Sequence, residues 1–193
     1  MTSAGMDAPD GNAVTKWFGE GFGRLHPRLQ ALHRGNGRLR GPITFWFGKG
    51  AAGAFGRRLA RHLGIPDTVG EHELDVDIGH DGTTMWWNRH FDRSLTLLSG
   101  FRPVGSWPDG HWIESTDPME FTLAVAVIEG GWYWRIIGAR LRGMPLPLWL
   151  MPRVTAYKRI EDDKYRFHVG FALPILGSVM SYSGLLELDT DGS

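Results

Sequence analysis

The segment HELDVDIGHDGTTMWWNRHF, residues 72–91, decides the fold class of this chain. In its first half, Leu74, Val76 and Ile78 alternate with acidic residues, which is the pattern of a strand with one buried face. An Asp-Gly dipeptide then interrupts the alternation, and this dipeptide is typical of a tight hairpin turn. The segment therefore predicts two antiparallel strands.

The second strand of this hairpin mixes aromatic and polar side chains. Side chains of an extended strand alternate between two faces, so one face carries Met85, Trp87, Arg89 and Phe91, and the other carries Trp86, Asn88 and His90. A guanidinium against aromatic surface needs a partner, which is a protein carboxylate or a ligand. Glu114 is the carboxylate that we expect to pair with Arg89.

Helical spacing of apolar residues is confined to the part of the chain before Pro66. It predicts two short helices within residues 13–33, the second ending at Gly35, and an amphipathic helix over residues 51–65, with a strand at residues 42–47 between them.

Beyond Pro66 the chain offers short strands joined by tight turns. We expect strands at residues 94–101 and 111–116, hairpins at residues 120–143 and 153–173, and a last strand at residues 178–189. An antiparallel sheet of this many strands usually curls or closes. The predicted fold is α+β, a mainly antiparallel curled sheet or β-barrel-like cup with short N-terminal helices. We expect a disordered tail at residues 1–12 and a single domain at residues 13–189.

Composition argues against several classes of function. The 21 basic and 21 acidic residues cancel, and no basic run is interleaved with aromatic residues, so we expect no nucleic-acid binding. Cysteine is absent, which excludes disulfides and thiolate metal sites. No signal-peptide pattern and no run of ~20 apolar residues is present, so we expect a cytoplasmic protein without a membrane span. Nine tryptophans and ten phenylalanines are unusual, since such side chains fill cores and also line apolar pockets.

Gly48, Gly50 and Gly53 form a G-x-G-x-x-G pattern between a predicted strand and a predicted helix. A nucleotide-binding pattern of this kind lies within a parallel doubly wound sheet, which the later hairpins do not provide. We therefore expect a tight strand-to-helix turn, beside which Lys49 could meet an anion. The eight histidines lack zinc-binding spacing, so we expect structural or solvated roles for them, no metal and no cofactor.

The segment RGMPLPLWLMPR, residues 142–153, combines three prolines with six apolar residues. The prolines prevent a helix and a central strand, yet the apolar side chains need cover. Two interpretations stay open: a lid that folds over the mouth of a barrel, or a plug that closes its end.

Several motifs, in their order along the chain, resemble a bacterial family of domains of unknown function, the DUF4166 type. The motifs are RLHPRLQALHRG, WNRHF, GMPLPLWLMPR, YRFHVGFALPILG and SYSGLLEL, and the resemblance runs from about Leu25 to Leu188. The family pattern is matched at Trp87, Arg89, Phe91, Glu114, Gly143, Pro145, Pro147, Pro152, Phe167, Pro174, Gly177, Tyr182 and Gly184. His168 departs from it, since members tend to have Asp there. Members are similar to modules found alone or fused to saccharopine-dehydrogenase-like or short-chain oxidoreductase domains, which implies a partner oxidoreductase and small apolar metabolites nearby.

These observations predict that the domain binds an apolar small molecule, which is lipid-, isoprenoid- or polyketide-like, in an aromatic-lined cup. The predicted ligand-binding residues are Trp87, Arg89, Phe91, Trp112, Trp134, Trp149 and Tyr182. An alternative is a cofactor-independent cyclase or isomerase, with Glu114, His90 and Tyr182 as the catalytic residues that move a proton. A third interpretation is an interaction module that docks onto a partner through residues 145–152.

Overall fold

The computed structural model describes residues 11–116 and 118–190. Its helices are α1 (Ala13–Phe18), α2 (Pro27–Arg34) and α3 (Gly50–Leu63), and its 3₁₀ helices are Gly19–Arg24 and Leu148–Leu150. Its strands are β1 (Gly37–Phe47), β2 (Gly70–His80), β3 (Met85–Phe91), β4 (Leu95–Val104), β5 (His111–Thr116), β6 (Met119–Ile128), β7 (Gly131–Leu141), β8 (Met144–Pro145), β9 (Arg153–Glu161), β10 (Lys164–Leu173) and β11 (Gly177–Thr190). Of the predicted tail, residues 1–10 lie outside the described residues.

Ten of these strands form a closed antiparallel barrel. The order around the ring is β6-β5-β4-β3-β2-β1-β11-β10-β9-β7, and pairing of β6 with β7 closes it. β8 adds two residues beside β7. The predicted curled, barrel-like antiparallel sheet with short helices is therefore confirmed, and closure pairs each of the ten strands on both sides over at least part of its length.

The hairpin of residues 72–91 forms as its alternation predicts. β2 and β3 pair from Leu74 opposite Phe91 to His80 opposite Met85. The Asp81 carboxylate accepts hydrogen bonds of 2.7 Å from the backbone nitrogens of two threonines that follow it, which fixes the turn. Both faces of the strand pair are thereby set, because alternation is strict along each strand.

β1 is longer than the strand predicted at residues 42–47, since it begins at Gly37. Gly41 and Pro42 are residues that usually interrupt a strand, which is why the prediction stopped there. In the barrel, Gly41 has a φ of 152°, and the register between β1 and β11 skips residues 41 and 42. A strand tolerates proline at such an irregularity, so β1 continues through it.

The N-terminal helices close one end of the barrel with aromatic side chains. Trp17 and Phe18 of α1 are almost fully buried. The Trp17 ring lies 5.4 Å from the ring of Trp112, and the Phe18 ring lies 4.9 Å from that of Trp132, both in edge-to-face contact. These four residues are called the aromatic floor. The two predicted N-terminal helices are thus present, and they seal the barrel at this end.

α3 packs against the barrel through glycine, and it confirms the helix predicted at residues 51–65. A Cβ on Gly53 would lie 2.0 Å from the carbonyl oxygen of Gly48, and one on Gly56 would lie 2.2 Å from that of Val179. The glycines of the G-x-G-x-x-G pattern therefore permit a close strand-to-helix turn beside antiparallel strands. No helix in the described part of the chain has the length and hydropathy needed to cross a lipid bilayer.

Candidate functional site

A cavity of about 510 Å³ lies inside the barrel. All ten ring strands contribute to its wall, mainly with apolar side chains such as Leu39, Val76, Phe101, Phe121, Ile136 and Phe167. Alternation along each strand brings these side chains inward. Small-molecule sites have volumes of roughly 300 to 1,000 Å³ and are lined mostly by hydrophobic and aromatic side chains. The interior therefore offers a site of suitable size and character for an apolar guest.

The strand pairing in the wall of the cavity is shortest between β7 and β9. These strands pair only over Trp132–Trp134 of β7, beyond which β7 pairs with β8 instead. Residues 145–152 lie against β7 there, and the Leu146 nitrogen donates to the Ala139 carbonyl at 2.9 Å. Met151 and Pro152 of this segment line the cavity. The segment thus contributes to the wall through Met151 and Pro152.

The polar part of the cavity contains the ion pair predicted from the sequence. Nη2 of Arg89, on β3, lies 3.8 Å from Oε1 of Glu114, on β5, and both side chains line the cavity. The Arg89 guanidinium also lies 5.6 Å from the centroid of the Trp87 ring. Burial raises the pKa of the Glu114 carboxyl, and the nearby Arg89 cation opposes this shift.

Lys158 lies on the aromatic floor, and it is not among the site residues predicted from the sequence. Its Nζ is 3.8 Å from the centroid of the Trp132 ring and 4.7 Å from that of Trp87, and the side chain is 2% exposed. Its hydrogen-bond partner is Nε2 of His33, on α2, at 2.8 Å. Burial lowers the pKa of Lys158 well below its usual range, and the Arg89 cation lowers it further.

Two histidines, the buried His33 and the partly exposed His80, lie near the amine of Lys158. The ring centroids of His33 and His80 are 6.0 Å apart, and within the described residues Nδ1 of His33 and both ring nitrogens of His80 have no hydrogen bond. Burial is the main cause that lowers the pKa of His33, and it lowers that of His80 to about 4. Both rings are therefore neutral at pH 7. Residues 11–116 and 118–190 contain no group of three or more side chains suited to a metal ion.

Five of the predicted site residues meet in this cavity: Trp87, Arg89, Glu114, Trp134 and Tyr182. Tyr182 stacks on Phe45 with 5.0 Å between the ring centroids, and burial raises the pKa of its hydroxyl. Two further predicted residues, Phe91 and Trp112, are fully buried but lie behind the cavity wall. Phe91 packs against Phe45, and Trp112 belongs to the aromatic floor.

Two predicted site residues lie away from the cavity. His90 is on the outer face of β3, where its Nδ1 lies 3.1 Å from the hydroxyl of Thr96, because the alternation that turns Arg89 inward turns His90 outward. Trp149 is 75% exposed in the 3₁₀ helix Leu148–Leu150. Neither side chain therefore lies beside Glu114.

The sequence did carry a signal for Lys158. In VTAYKRI, residues 154–160, alternation places Val154, Ala156 and Lys158 on one face of β9, and all three line the cavity. The polar site residues predicted from the sequence are Arg89, His90, Glu114 and Tyr182, and this lysine is not among them. His168 of β10, which departs from the family pattern, faces outward and stacks on Tyr157 with 5.6 Å between ring centroids.

Comparison with known proteins identifies a family. The model of the family described as "Domain of unknown function (DUF4166)" matches residues 25–186, which include nine strands of the ring in full and β11 as far as Leu186. Neither curated proteins nor solved structures give a match. The resemblance inferred from the order of the motifs is thereby confirmed, and the chain belongs to the DUF4166 family.

Proposed function

We propose that this domain binds an apolar small molecule of the lipid, isoprenoid or polyketide type inside the barrel. The cavity of about 510 Å³ with its mainly apolar lining is the observation that carries this proposal. Transfer of apolar surface from water into such a site contributes roughly 25 cal/mol per Å². A ligand that fills the cavity would thus bind without any metal or covalent bond.

The polar residues of the cavity would orient this ligand. Arg89 has five N–H donors, and Glu114, with one oxygen 3.8 Å away, engages only part of them. The remaining donors suit a carboxylate or phosphate end, because a guanidinium binds such oxygens through charge-assisted hydrogen bonds. The apolar body of the ligand would then extend along Trp87 and Trp134.

Tryptophan fluorescence tests the proposal directly. Trp87 and Trp134 line the cavity, so a ligand that enters it changes the environment of two indole rings. The purified protein is titrated with a fatty acid, an isoprenoid alcohol and an aromatic polyketide, each beside a polar molecule of similar size. We expect saturable quenching or a spectral shift with at least one apolar class and none with the polar molecules. The proposal fails if no apolar class changes the emission.

A cofactor-independent cyclase or isomerase is the second candidate, and the environment of Glu114 favours it. A carboxyl whose pKa is raised by burial holds its proton to a higher pH than an exposed carboxyl, which suits a proton donor, and Tyr182 shares the same cavity. Replacement of Glu114 by Gln separates the two candidates. If the variant binds ligand and remains stable but no longer forms a product, the enzymatic function is supported. If no product forms with the wild type either, binding is the function.

A further inference from the structure

Lys158 is the one buried amine among the four lysines of the chain. Lys16 and Lys49 are exposed, and the side chain of Lys164 is 45% exposed. Lys158 is only 2% exposed and lies at the bottom of the cavity, on the aromatic floor. Its position inside a ligand-sized space, rather than on the surface, calls for a chemical role.

The surroundings of Lys158 contain positive and neutral groups and lack a counter-ion. Within residues 11–116 and 118–190, no carboxylate forms an ion pair with its amine. The titratable groups that interact with it are His33 from α2, His80 from β2 and Arg89 from β3. Glu114 lines the same cavity, and its ion pair is with Arg89. Three indole rings lie within 6 Å of Nζ, and their faces favour a cation, but they do not replace a carboxylate. A lysine that is desolvated next to another cation keeps its amine neutral and nucleophilic.

We propose that Lys158 captures an apolar aldehyde or ketone inside the cavity as an imine. This inference deepens the proposed binding function and rests on it, since the carbonyl compound must first enter the barrel. The class of ligand follows from two observations together, an apolar cavity and an amine at its base. Carbonyl carbon is the electrophile with which a lysine amine reacts in this way.

The reaction needs only the two partners. The lone pair of Nζ attacks the carbonyl carbon, a C–N bond forms, and the π electrons of the carbonyl move to oxygen. A proton passes from nitrogen to that oxygen, with Nε2 of His33, 2.8 Å from Nζ, placed to relay it. The carbinolamine then loses its hydroxyl group with a second proton as water, and the C=N bond forms. No oxidant or reductant takes part in these steps.

Reductive trapping with decanal tests the proposal. The protein is incubated at pH 7 with decanal and sodium cyanoborohydride, and the modified lysine is identified by peptide mapping. An exposed lysine with a pKa of about 10.4 has roughly one amine in 2,500 neutral at pH 7, so surface lysines react slowly. We expect a decyl group on Lys158, with labelling about 100-fold faster than at Lys49 or Lys164. An N-terminal α-amine, with an ordinary pKa of roughly 7.7 to 8.0, also reacts at pH 7, and peptide mapping separates its product from that of Lys158. Replacement of Lys158 by Met should abolish the fast adduct, whereas replacement of Lys164 by Met should leave it unchanged.

Titration with 1-decanol distinguishes failure of this inference from failure of the binding function. Decanol has the same chain and no carbonyl group, so it reports entry into the cavity alone. If decanol and decanal both alter tryptophan emission but Lys158 stays unmodified, imine formation is wrong and binding stands. If neither alters it and labelling is confined to surface amines, both proposals are wrong. Mapping of the wild-type adduct decides the question even where the Lys158→Met variant does not fold.

Discussion

The contribution of the Arg89–Glu114 ion pair to the stability of the barrel depends on both side chains. Removal of one partner from a buried ion pair leaves an uncompensated charge, whereas replacement of both by apolar residues is often neutral. We therefore expect Arg89→Met to destabilise the barrel by about 3 kcal/mol and the double variant Arg89→Met with Glu114→Leu to recover most of this loss. Urea denaturation of the single and double variants measures the effect. Equal destabilisation by the single and the double variant would show that the pair is not coupled.

The lowered pKa of His80 leads us to expect that the protein loses stability in acid. Its pKa is about 4 in the folded protein against 6.5 in the unfolded chain, so the unfolded chain binds the proton more tightly. Stability is therefore complete above pH 6.5 and declines as the pH falls towards 4. Because the ring is partly exposed, we expect its share of the loss to be about 1 to 2 kcal/mol, below the ~3.4 kcal/mol that a shift of about 2.5 pKa units would give without solvent screening.

Unfolding by urea at a series of pH values from 7 to 4 measures this loss. His80→Gln should lose less stability over that interval than the wild type. His62→Gln, at an exposed histidine, is the matched control and should follow the wild type. Parallel curves for His80→Gln and the wild type would contradict the assignment. The remaining slope of the His80→Gln curve would come in part from His33, whose pKa is lowered as well.

At the scale of residues, predictions that used the alternation of side chains along a strand agree with the structure. A prediction that did not use this alternation disagrees with it. The face that carries Trp87 and Arg89 was predicted from alternation in β3, and both residues line the cavity. The same rule places His90 on the opposite face, yet His90 was proposed beside Glu114. Contacts such as that between Lys158 and His33 join positions 125 residues apart, and no local pattern indicates them.

At the scale of elements, Asn12 connects the two N-terminal helices. Its side-chain oxygen accepts hydrogen bonds of 3.0 Å from the backbone nitrogens of Val14 and Thr15, and its Nδ2 donates to the carbonyl of His33 at 2.7 Å. We expect Asn12→Ala to destabilise the protein by about 1 to 2 kcal/mol, because the helix cap and the link between helices are both lost.

Asn12→Asp separates the two contributions of this residue. Aspartate retains the oxygen that caps α1 and lacks the amide that reaches α2, so the variant should lie between the wild type and Asn12→Ala in free energy of unfolding. Urea denaturation of the three proteins gives this order. Wild-type stability of Asn12→Ala would mean that α1 does not depend on its cap.

Element boundaries were predictable wherever turn residues are specific. The hairpin turns after β6 and β9 contain Glu129 and Asp162, both with φ of 49°, and both turns lie inside the hairpins predicted at residues 120–143 and 153–173. β1 was predicted too short, because it continues through Gly41 and Pro42 by pairing with β2 while its pairing with β11 is interrupted at these two residues. The wall segment at residues 145–152 depends on how β7 and β9 diverge, which local sequence does not encode.

At the scale of the whole molecule, the aromatic residues fall into two groups. One group fills an end of the barrel, and the other lines the space that is left inside it. The aromatic floor fills one end, and the remaining inward side chains leave a cavity of about 510 Å³. The sequence predicted an aromatic interior but not this division, because closure and filling depend on contacts among all ten strands. The proposed binding of a ligand inside the barrel depends on this empty volume.

A ligand titration of the wild type beside Ala156→Phe tests that claim most directly. Ala156 is a small side chain in the wall, between Val154 and Lys158 on the inner face of β9, and phenylalanine there would occupy part of the cavity. With a fatty acid as the titrant, we predict saturable quenching of tryptophan emission in the wild type and at least about 10-fold weaker binding in a folded Ala156→Phe variant. Equal affinity in the two proteins would contradict the account, because the ligand would then bind outside the barrel.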